Sequence, residues 1–479
     1  MIIKGDDYIE RLAGYKREIY VRGERVENFV EHPNIRPAVN AIAFTYDLAA
    51  KKEDYSPFSD LVAEKVNRLN YVNKTAQDLI ARLDYQRELS MRTSTCHYRC
   101  PGADAICSLH SATKALDKRL GTDYHEKFLT FLKEIQSKDY ACTGALTDTK
   151  GDRSKRPKDT RDMYVHVVEK NNSGIIISGA KIHQSGAFAA DVNFILPTQT
   201  FKKGEEEFAL AFAVTPEDQG VKFVLQSTGY QAKFREGGSF EPGNFKYGDR
   251  LTCTVIFDQV FIPWERIFVF EDLEANRHVL TSFAVSHRCA GAACKAGFID
   301  SMIGAASLML KANGLDKVSA LRQKIGEMLG ISEAAYGIAI GAATKGKEDF
   351  GAHQPEPLIA NAGKVIGVEG LNKALMNLAE IAGGIPVTAP SEFDLKNPDI
   401  GPLLEKYLRA NPEFSTEERL KIIKFIEFWA TSSHLLGGIH GGGSPAAAII
   451  FLQFMADLKT REDAVKDAID LCSSTSLNP

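Results

Sequence analysis

The sequence predicts an α+β multidomain chain: an N-terminal helical domain over residues 1–140, a middle β-barrel-like domain over 141–275 and a C-terminal helical bundle over 276–479. Three observations predict it. Apolar residues recur every three or four positions in the first and last thirds, the signature of amphipathic helices. Near residue 141 the texture turns to short β-rich runs separated by turn residues, and near 276 it turns back. A length of 479 residues leaves room for two to three such units, each with its own core.

In chain order, helices are expected at 8–16, 37–48, 60–89 and 124–137. The third carries Leu61, Val66, Leu69, Val72, Leu79 and Leu83, and the two prolines Pro33 and Pro37 mark the loop before the second. Over 162–270 the strands read as 163–170 and 175–180 around the turn Asn171-Asn172-Ser173-Gly174, then 192–197, 208–214, 221–226 and 251–257. The last third offers helices at 298–312, 318–344, 358–382, 417–436, 446–458 and 461–471, enough for an antiparallel bundle. The Gly/Ala-rich stretch 337–343 predicts close helix contact.

Hydrophobic residues are 44% and charged residues 25%, as in ordinary globular proteins, and the net charge is -4. With no basic block, nucleic acid and anionic membranes are poor partners. The start of the chain has neither the basic residues nor the apolar core of a signal peptide, and no uninterrupted apolar run reaches membrane-spanning length. A cytoplasmic location is expected. Its eight cysteines are then expected as free thiols or ligands rather than a disulfide framework.

The stretch with most chemistry is Ser286-His287-Arg288-Cys289-Ala290-Gly291-Ala292-Ala293-Cys294-Lys295-Ala296-Gly297. On a helix, His287 and Cys294 share a face, two turns and roughly 10.5 Å apart. Far upstream, Thr95-Cys96-His97-Tyr98-Arg99-Cys100-Pro101 places Cys96 and Cys100 one turn apart on a second expected helix. Three thiolates and one imidazole suit an iron–sulfur cluster with one more weakly held iron. Free cysteines are also common as small core residues, and the spacing is not that of a ferredoxin, so both readings stay open.

Three further segments are candidates. Leu146-Thr147-Asp148-Thr149-Lys150-Gly151-Asp152-Arg153 offers backbone N–H groups, hydroxyls and a cation for a flavin edge or pyrophosphate, or serves as an interdomain loop. Lys181-Ile182-His183-Gln184-Ser185-Gly186 ends a strand with donors for the same ligand. Gly441-Gly442-Gly443-Ser444-Pro445-Ala446 fits a dinucleotide fingerprint in letters but follows a helix, so it reads as a turn and a helix start.

Taken together these segments resemble the 4-hydroxybutyryl-CoA dehydratase (vinylacetyl-CoA Δ-isomerase) family, relatives of the flavin-dependent 4-hydroxyphenylacetate 3-hydroxylases on an acyl-CoA dehydrogenase-like fold. Glu27-Asn28-Phe29-Val30-Glu31-His32-Pro33, Val255-Ile256-Phe257-Asp258 and His440-Gly441-Gly442-Gly443-Ser444-Pro445 extend the resemblance nearly end to end. The resemblance implies FAD held by Leu146, Thr147, Asp148, Thr149, Lys150, Gly151, Asp152, Arg153, His183, Gln184, Ser185 and Gly186. It implies a [4Fe–4S] cluster on Cys96, Cys100, His287 and Cys294, a homotetramer, and an acyl-CoA substrate. The implied chemistry is radical α,β-hydrogen removal from a 4-hydroxybutyryl-CoA-type thioester, with His287 as base and Lys295 as electrostatic support.

The chain departs from the family where acid–base side chains are expected. Gly291 stands in place of a Tyr, Thr252 in place of a Glu, and Leu436-Gly437-Gly438-Ile439 replaces a stretch holding a second Glu. Tyr98 replaces a Gln and is a candidate substitute acid; Ser185 replaces a Thr. The competing readings are a flavin oxidoreductase with an aromatic or other non-CoA substrate, its cluster serving structure or electron transfer, and a non-catalytic assembly protein.

Overall fold

A computed structural model describes residues 2–469. The N-terminal third is mainly helical, with Gly5–Ala13, Arg36–Lys51, Ala76–Thr93, Cys100–Leu120 and Tyr124–Lys138 as its main helices. Two departures from the expected pattern occur here. Glu18–Val21 and Glu24–Arg25 are strands that join the sheet of the middle region. The helix expected at 60–89 starts only at Ala76, because Thr75 and Asp78 form a reciprocal capping box that fixes the start there. The residues before it form a short hairpin and a 3₁₀ turn.

Two sheets follow. One has six strands in the order Glu24–Arg25, Glu18–Val21, Val221–Leu225, Thr252–Pro263, Gly174–Ser185, His166–Lys170. The other has four, in the order Ile267–Phe270, Leu210–Val214, Val192–Ile195, Cys142–Ala145. The expected hairpin across Asn171–Gly174 is present, with His166 paired to Ser178. Thr252–Pro263 and Gly174–Ser185 are twelve residues each and pair antiparallel, with Thr252 opposite Ser185. Two bulges interrupt that ladder, which explains why period-two reading of the sequence stopped short of its true length.

The last third is helical: Leu273–Ala312, Ser319–Thr344, Pro357–Ala382, Thr416–Thr431, His434–His440, Pro445–Met455 and Leu458–Ala468, among others. The helix expected at 461–471 is this last one; residues 470 and 471 lie outside the described residues. Leu273–Ala312, the central helix, is forty residues long and capped by the Asp272 carboxylate, which accepts from the Ala275 N–H. By length and composition it would span a membrane, yet 56% of its most apolar stretch is buried inside the protein. It packs on Ala76–Thr93, where any Cβ at Gly297 would run into the Arg87 carbonyl and Ser90. On the other side, Gly363 of Pro357–Ala382 lets Ile338 come within 3.0 Å of where a Cβ would stand. Ala339, Ala342 and Ala343 are fully buried, as the Gly/Ala-rich stretch predicts.

Candidate functional site

The central helix presents His287 and Cys294 toward the N-terminal helices, and Arg288 and Lys295 toward Pro357–Ala382. The His287 Nδ1 lies 2.8 Å from Asp104 Oδ2, and its ring stacks on Phe283 at 5.5 Å. Asp104 is fully buried and also pairs with Arg82 at 2.8 Å. A carboxylate on Nδ1 fixes the tautomer and leaves the Nε2 lone pair for a proton or a metal.

Cys96 and Cys100 do not share a helix as expected. Ser94 and Tyr98 adopt left-handed backbone, so residues 94–99 form a tight coil, and Cys100 is the first residue of Cys100–Leu120. The coil turns both sulfurs toward each other. The Cys100 thiol donates to Cys96 and pulls its pKa down to about 6, helped by Arg250, the Tyr98 N–H at 3.4 Å and His287. Cys100 is driven up by Cys96 and by burial, with Cys294 adding to it. Burial pushes Cys294 up to about 12. The three thiols and the imidazole are thus electrostatic neighbours. Among the described residues no three His, Cys, Asp or Glu side chains are gathered closely enough to grip a single metal ion.

A larger inorganic group fits better. On the helix and coil beside His287 and Cys294 lie buried polar atoms without a partner: both ring nitrogens of His97, both amide atoms of Gln86, and Nε and Nη1 of Arg82. Arg82, Gln86 and Ser90 are spaced by four on Ala76–Thr93 and form one stripe of that helix. Ser90 lies beside Cys294. Each buried orphan costs about 1–3 kcal/mol, so a polar group with several acceptors, such as the sulfides and thiolates of an iron–sulfur cluster, suits this lining.

The flavin candidates flank the same place. The Leu146 carbonyl accepts from Lys181 Nζ at 2.8 Å, and Asp148 and Lys181 form a buried pair at 2.9 Å. Asp148 also accepts from the Val165 N–H, Thr149 donates to the Met163 carbonyl, and Asp152 caps Ser154. These side chains therefore shape the segment, while Lys150 and Gly151, both left-handed, bend its backbone. The two flavin segments meet through the Ile182 N–H, which donates to the Thr147 carbonyl at 2.8 Å, and burial and Arg250 lower the His183 pKa. Arg250 donates to Ser185 Oγ at 3.0 Å. Gly186, at φ +71°, would place a Cβ 2.6 Å from that of Tyr98, which docks the strand end on the cysteine coil.

Tyr98 is buried with its hydroxyl donating to the Asp249 carbonyl and accepting from the Leu251 N–H, both at 3.0 Å. Thr252 donates to Gln226. Lys295 is buried, and its Nζ makes one bond of 3.3 Å to the Gly291 carbonyl; burial brings its pKa down to about 8. Sequence reasoning missed Asp104, His97, Arg250, Lys364 and the polar stripe of Ala76–Thr93. Asp104 sits four residues after Cys100, a spacing that could have flagged it. The others carry no motif.

The comparisons with known proteins bear on this site. The model of the 4-hydroxyphenylacetate 3-hydroxylase N-terminal region matches residues 4–269 and that of the C-terminal region residues 276–470. A 4-hydroxybutyryl-CoA dehydratase/vinylacetyl-CoA-Δ-isomerase from Clostridium aminobutyricum is 33% identical over 97% of this chain and 99% of its own. The structure of an oxygen-tolerant archaeal 4-hydroxybutyryl-CoA dehydratase from N. maritimus superposes with a TM-score of 0.96 at 34% identity, covering 99% of this chain and 96% of that one. The oxygenase component of a 4-hydroxyphenylacetate 3-monooxygenase complexed with FAD shares the fold at a TM-score of 0.84 and 23% identity, over 98% of each chain. A glutaryl-coenzyme A dehydrogenase shares the acyl-CoA dehydrogenase-like plan at 0.50 and 16%, over 89% and 87%.

Proposed function

Since this chain belongs to the 4-hydroxyphenylacetate 3-hydroxylase family, and within it to the 4-hydroxybutyryl-CoA dehydratase group, we propose that it is a FAD- and [4Fe–4S]-dependent dehydratase/isomerase of a hydroxyacyl-CoA. The observation that carries the reading is the set of Cys96, Cys100, Cys294 and His287 facing one polar lining of orphaned atoms. When bound, the flavin would supply one-electron chemistry and the cluster a Lewis-acidic iron for the leaving hydroxyl. Cys96, Cys100, Cys294 and His287 Nε2 would hold the cluster; segments 146–153 and 183–186 would hold the flavin.

His287, the weakest ligand of the four, would take a proton from the substrate on Nε2 once that nitrogen is free of iron, with Asp104 on Nδ1 raising its basicity. Lys295, a buried cation beside Cys294, would stabilise negative charge developing on the substrate carbonyl. The Tyr98 hydroxyl, bonded on both sides to backbone, would position the coil between Cys96 and Cys100. We assign the enzyme to the cytoplasm as a homotetramer; the seven described cysteines are all free, as a reducing compartment would keep them.

The test is anaerobic purification followed by incubation with 4-hydroxybutyryl-CoA and vinylacetyl-CoA in deuterated water. Turnover, or deuterium entering the α-position, supports the reading. Flavin left reduced after a single turnover would instead favour an oxidoreductase acting on another substrate, which Gly291 in place of a tyrosine and Thr252 in place of a glutamate also accommodate.

A further inference from the structure

Three cations bond the segment 437–442 at the site, and a fourth, Lys295, lies beside them. Arg250 Nη1 donates to the Gly437 carbonyl at 2.8 Å. Lys364 Nζ reaches the carbonyls of Ile439 at 2.7 Å and Gly441 at 2.6 Å. Arg288 donates to the Gly442 carbonyl at 3.1 Å, and Lys295 lies close enough to Lys364 to repel it. None of the four pairs with a carboxylate among the described residues. The acids nearby are engaged: Asp249 accepts from the Ser433 N–H and hydroxyl, and Asp104 holds Arg82 and His287. One cation suffices to cap the C-terminus of a helix as short as His434–His440.

Lys295 and Lys364 are 5% and 1% exposed, and Lys295 has a single long hydrogen bond. A buried charge without a counter-charge is costly, so such groups are held for a partner. Burial and the other three cations push Lys364 down to about 6, while its carbonyl partners favour the ammonium; an incoming anion would restore it. The segment that faces the cations is largely glycine. A Cβ at Gly437 or Gly441 would stand 3.1 or 3.2 Å from Arg250 Nη1, and one at Gly291 would meet only Lys295 Nζ, at 3.6 Å.

The position of these groups identifies which anion belongs there. Arg250 touches Ser185 and acts on Cys96, and Lys295 acts on Cys294. The charge therefore sits at the reacting end, between the sulfurs and the strand end. The [4Fe–4S] core would offset most of the charge of three thiolates, leaving the cations in excess. We propose that Arg250 and Lys364 bind a carboxylate on the acyl chain of the substrate, so that the enzyme takes the coenzyme A thioester of a dicarboxylic acid. The proposal rests on the acyl-CoA reading above. A guanidinium fork beside an ammonium suits a carboxylate held through two oxygens.

The experiment compares succinyl-CoA with butyryl-CoA, equal in acyl length, as ligands of the anaerobic FAD- and iron-loaded enzyme, followed by the visible flavin spectrum. Succinyl-CoA should bind at least about tenfold tighter, with the preference shrinking as salt is added. Lys364→Met should abolish the preference and leave butyryl-CoA affinity within about twofold; Arg250→Gln should abolish the preference too, and Arg250→Lys should keep part of it. Equal affinity in the wild-type enzyme overturns the proposal, whatever the variants do. Variants that weaken both thioesters alike, or that lose FAD, overturn it too, since the cations would then serve the fold or the flavin phosphates. If neither thioester binds to enzyme holding FAD and iron, the acyl-CoA reading fails instead. Free succinate then decides the site: binding that the variants lose supports it, and no binding overturns it.

Discussion

At the residue scale, His287 and the atoms around it make the sharpest commitments. His287→Gln should cut turnover by at least about 10²-fold, the usual worth of a positioned base, while FAD content is unchanged. Asp104→Asn should cost about 10–100-fold by freeing the imidazole ring, and should also leave Arg82 buried without its carboxylate. Gln86 gives a test of opposite signs. Gln86→Leu removes two orphaned buried atoms, so the protein stripped of iron should melt at a higher temperature, while the loaded protein should hold less iron. A variant that melts lower in both forms would mean that Gln86 already has what it needs. His434 sets a pH dependence. It is buried against Phe298, Phe428 and Trp429, and burial and Arg250 hold its pKa down at about 3. The unfolded value is about 6.5, so the unfolded chain binds more protons between those two values. Its contribution is complete above pH 6.5 and is lost as pH falls toward 3. Asp249, 3.8 Å away and raised to about 6 by burial, works in the opposite sense below pH 6. Melting curves from pH 7.5 to 5 should therefore flatten in His434→Gln. The pairs His287/Cys294 and Cys96/Cys100 could be picked out in the sequence, but their spacing left ligands and small core residues both open, and only the family resemblance pointed to a cluster. Lys364 and Arg250 could not be picked out, since a lone cation looks the same on a surface and in a pocket.

At the element scale, the site is an agreement between a helix and two coils. The pair His287 and Cys294 could be read from sequence because the helix Leu273–Ala312 has no proline and an unbroken apolar stripe. The geometry of Cys96 and Cys100 could not, because left-handed Ser94 and Tyr98 are neither glycine nor asparagine and give no local sign. The join between strand and coil is testable at Gly186. An alanine there meets both a positive φ and the Tyr98 Cβ, so Gly186→Ala should destabilise the protein by about 1–3 kcal/mol in denaturant titration. It should also weaken FAD binding, since Ser185 and Gly186 move together. The same loss of stability with FAD affinity intact would separate the strand from the flavin. The long pair Thr252–Pro263 and Gly174–Ser185 shows the limit of period-two reading: its bulges shift the alternation, and the sequence pattern breaks where the ladder continues.

At the scale of the whole molecule, the helix–sheet–helix order was readable because composition changes sharply at its boundaries, whereas the N-terminal strands that complete the six-stranded sheet come from two turns of chain too short to carry a pattern. Near the end of the described residues, apolar side chains are left exposed on the single chain. In Pro445–Met455 only Ala448 is buried, and Ile450 and Phe454 are 66% and 84% exposed. An apolar face of this kind calls for a cover, and the homotetramer proposed above would supply one. Light scattering should give four chains, and Phe454→Glu should yield smaller species; a wild-type monomer would contradict the assembly. The central claim is that three cysteines and one histidine hold an iron–sulfur cluster beside a flavin. Iron, acid-labile sulfide and FAD, quantified together on anaerobically purified protein, test it most directly. The account predicts about four irons and four sulfides per FAD, with iron lost in Cys294→Ser while FAD remains; FAD at full occupancy with no iron would contradict it.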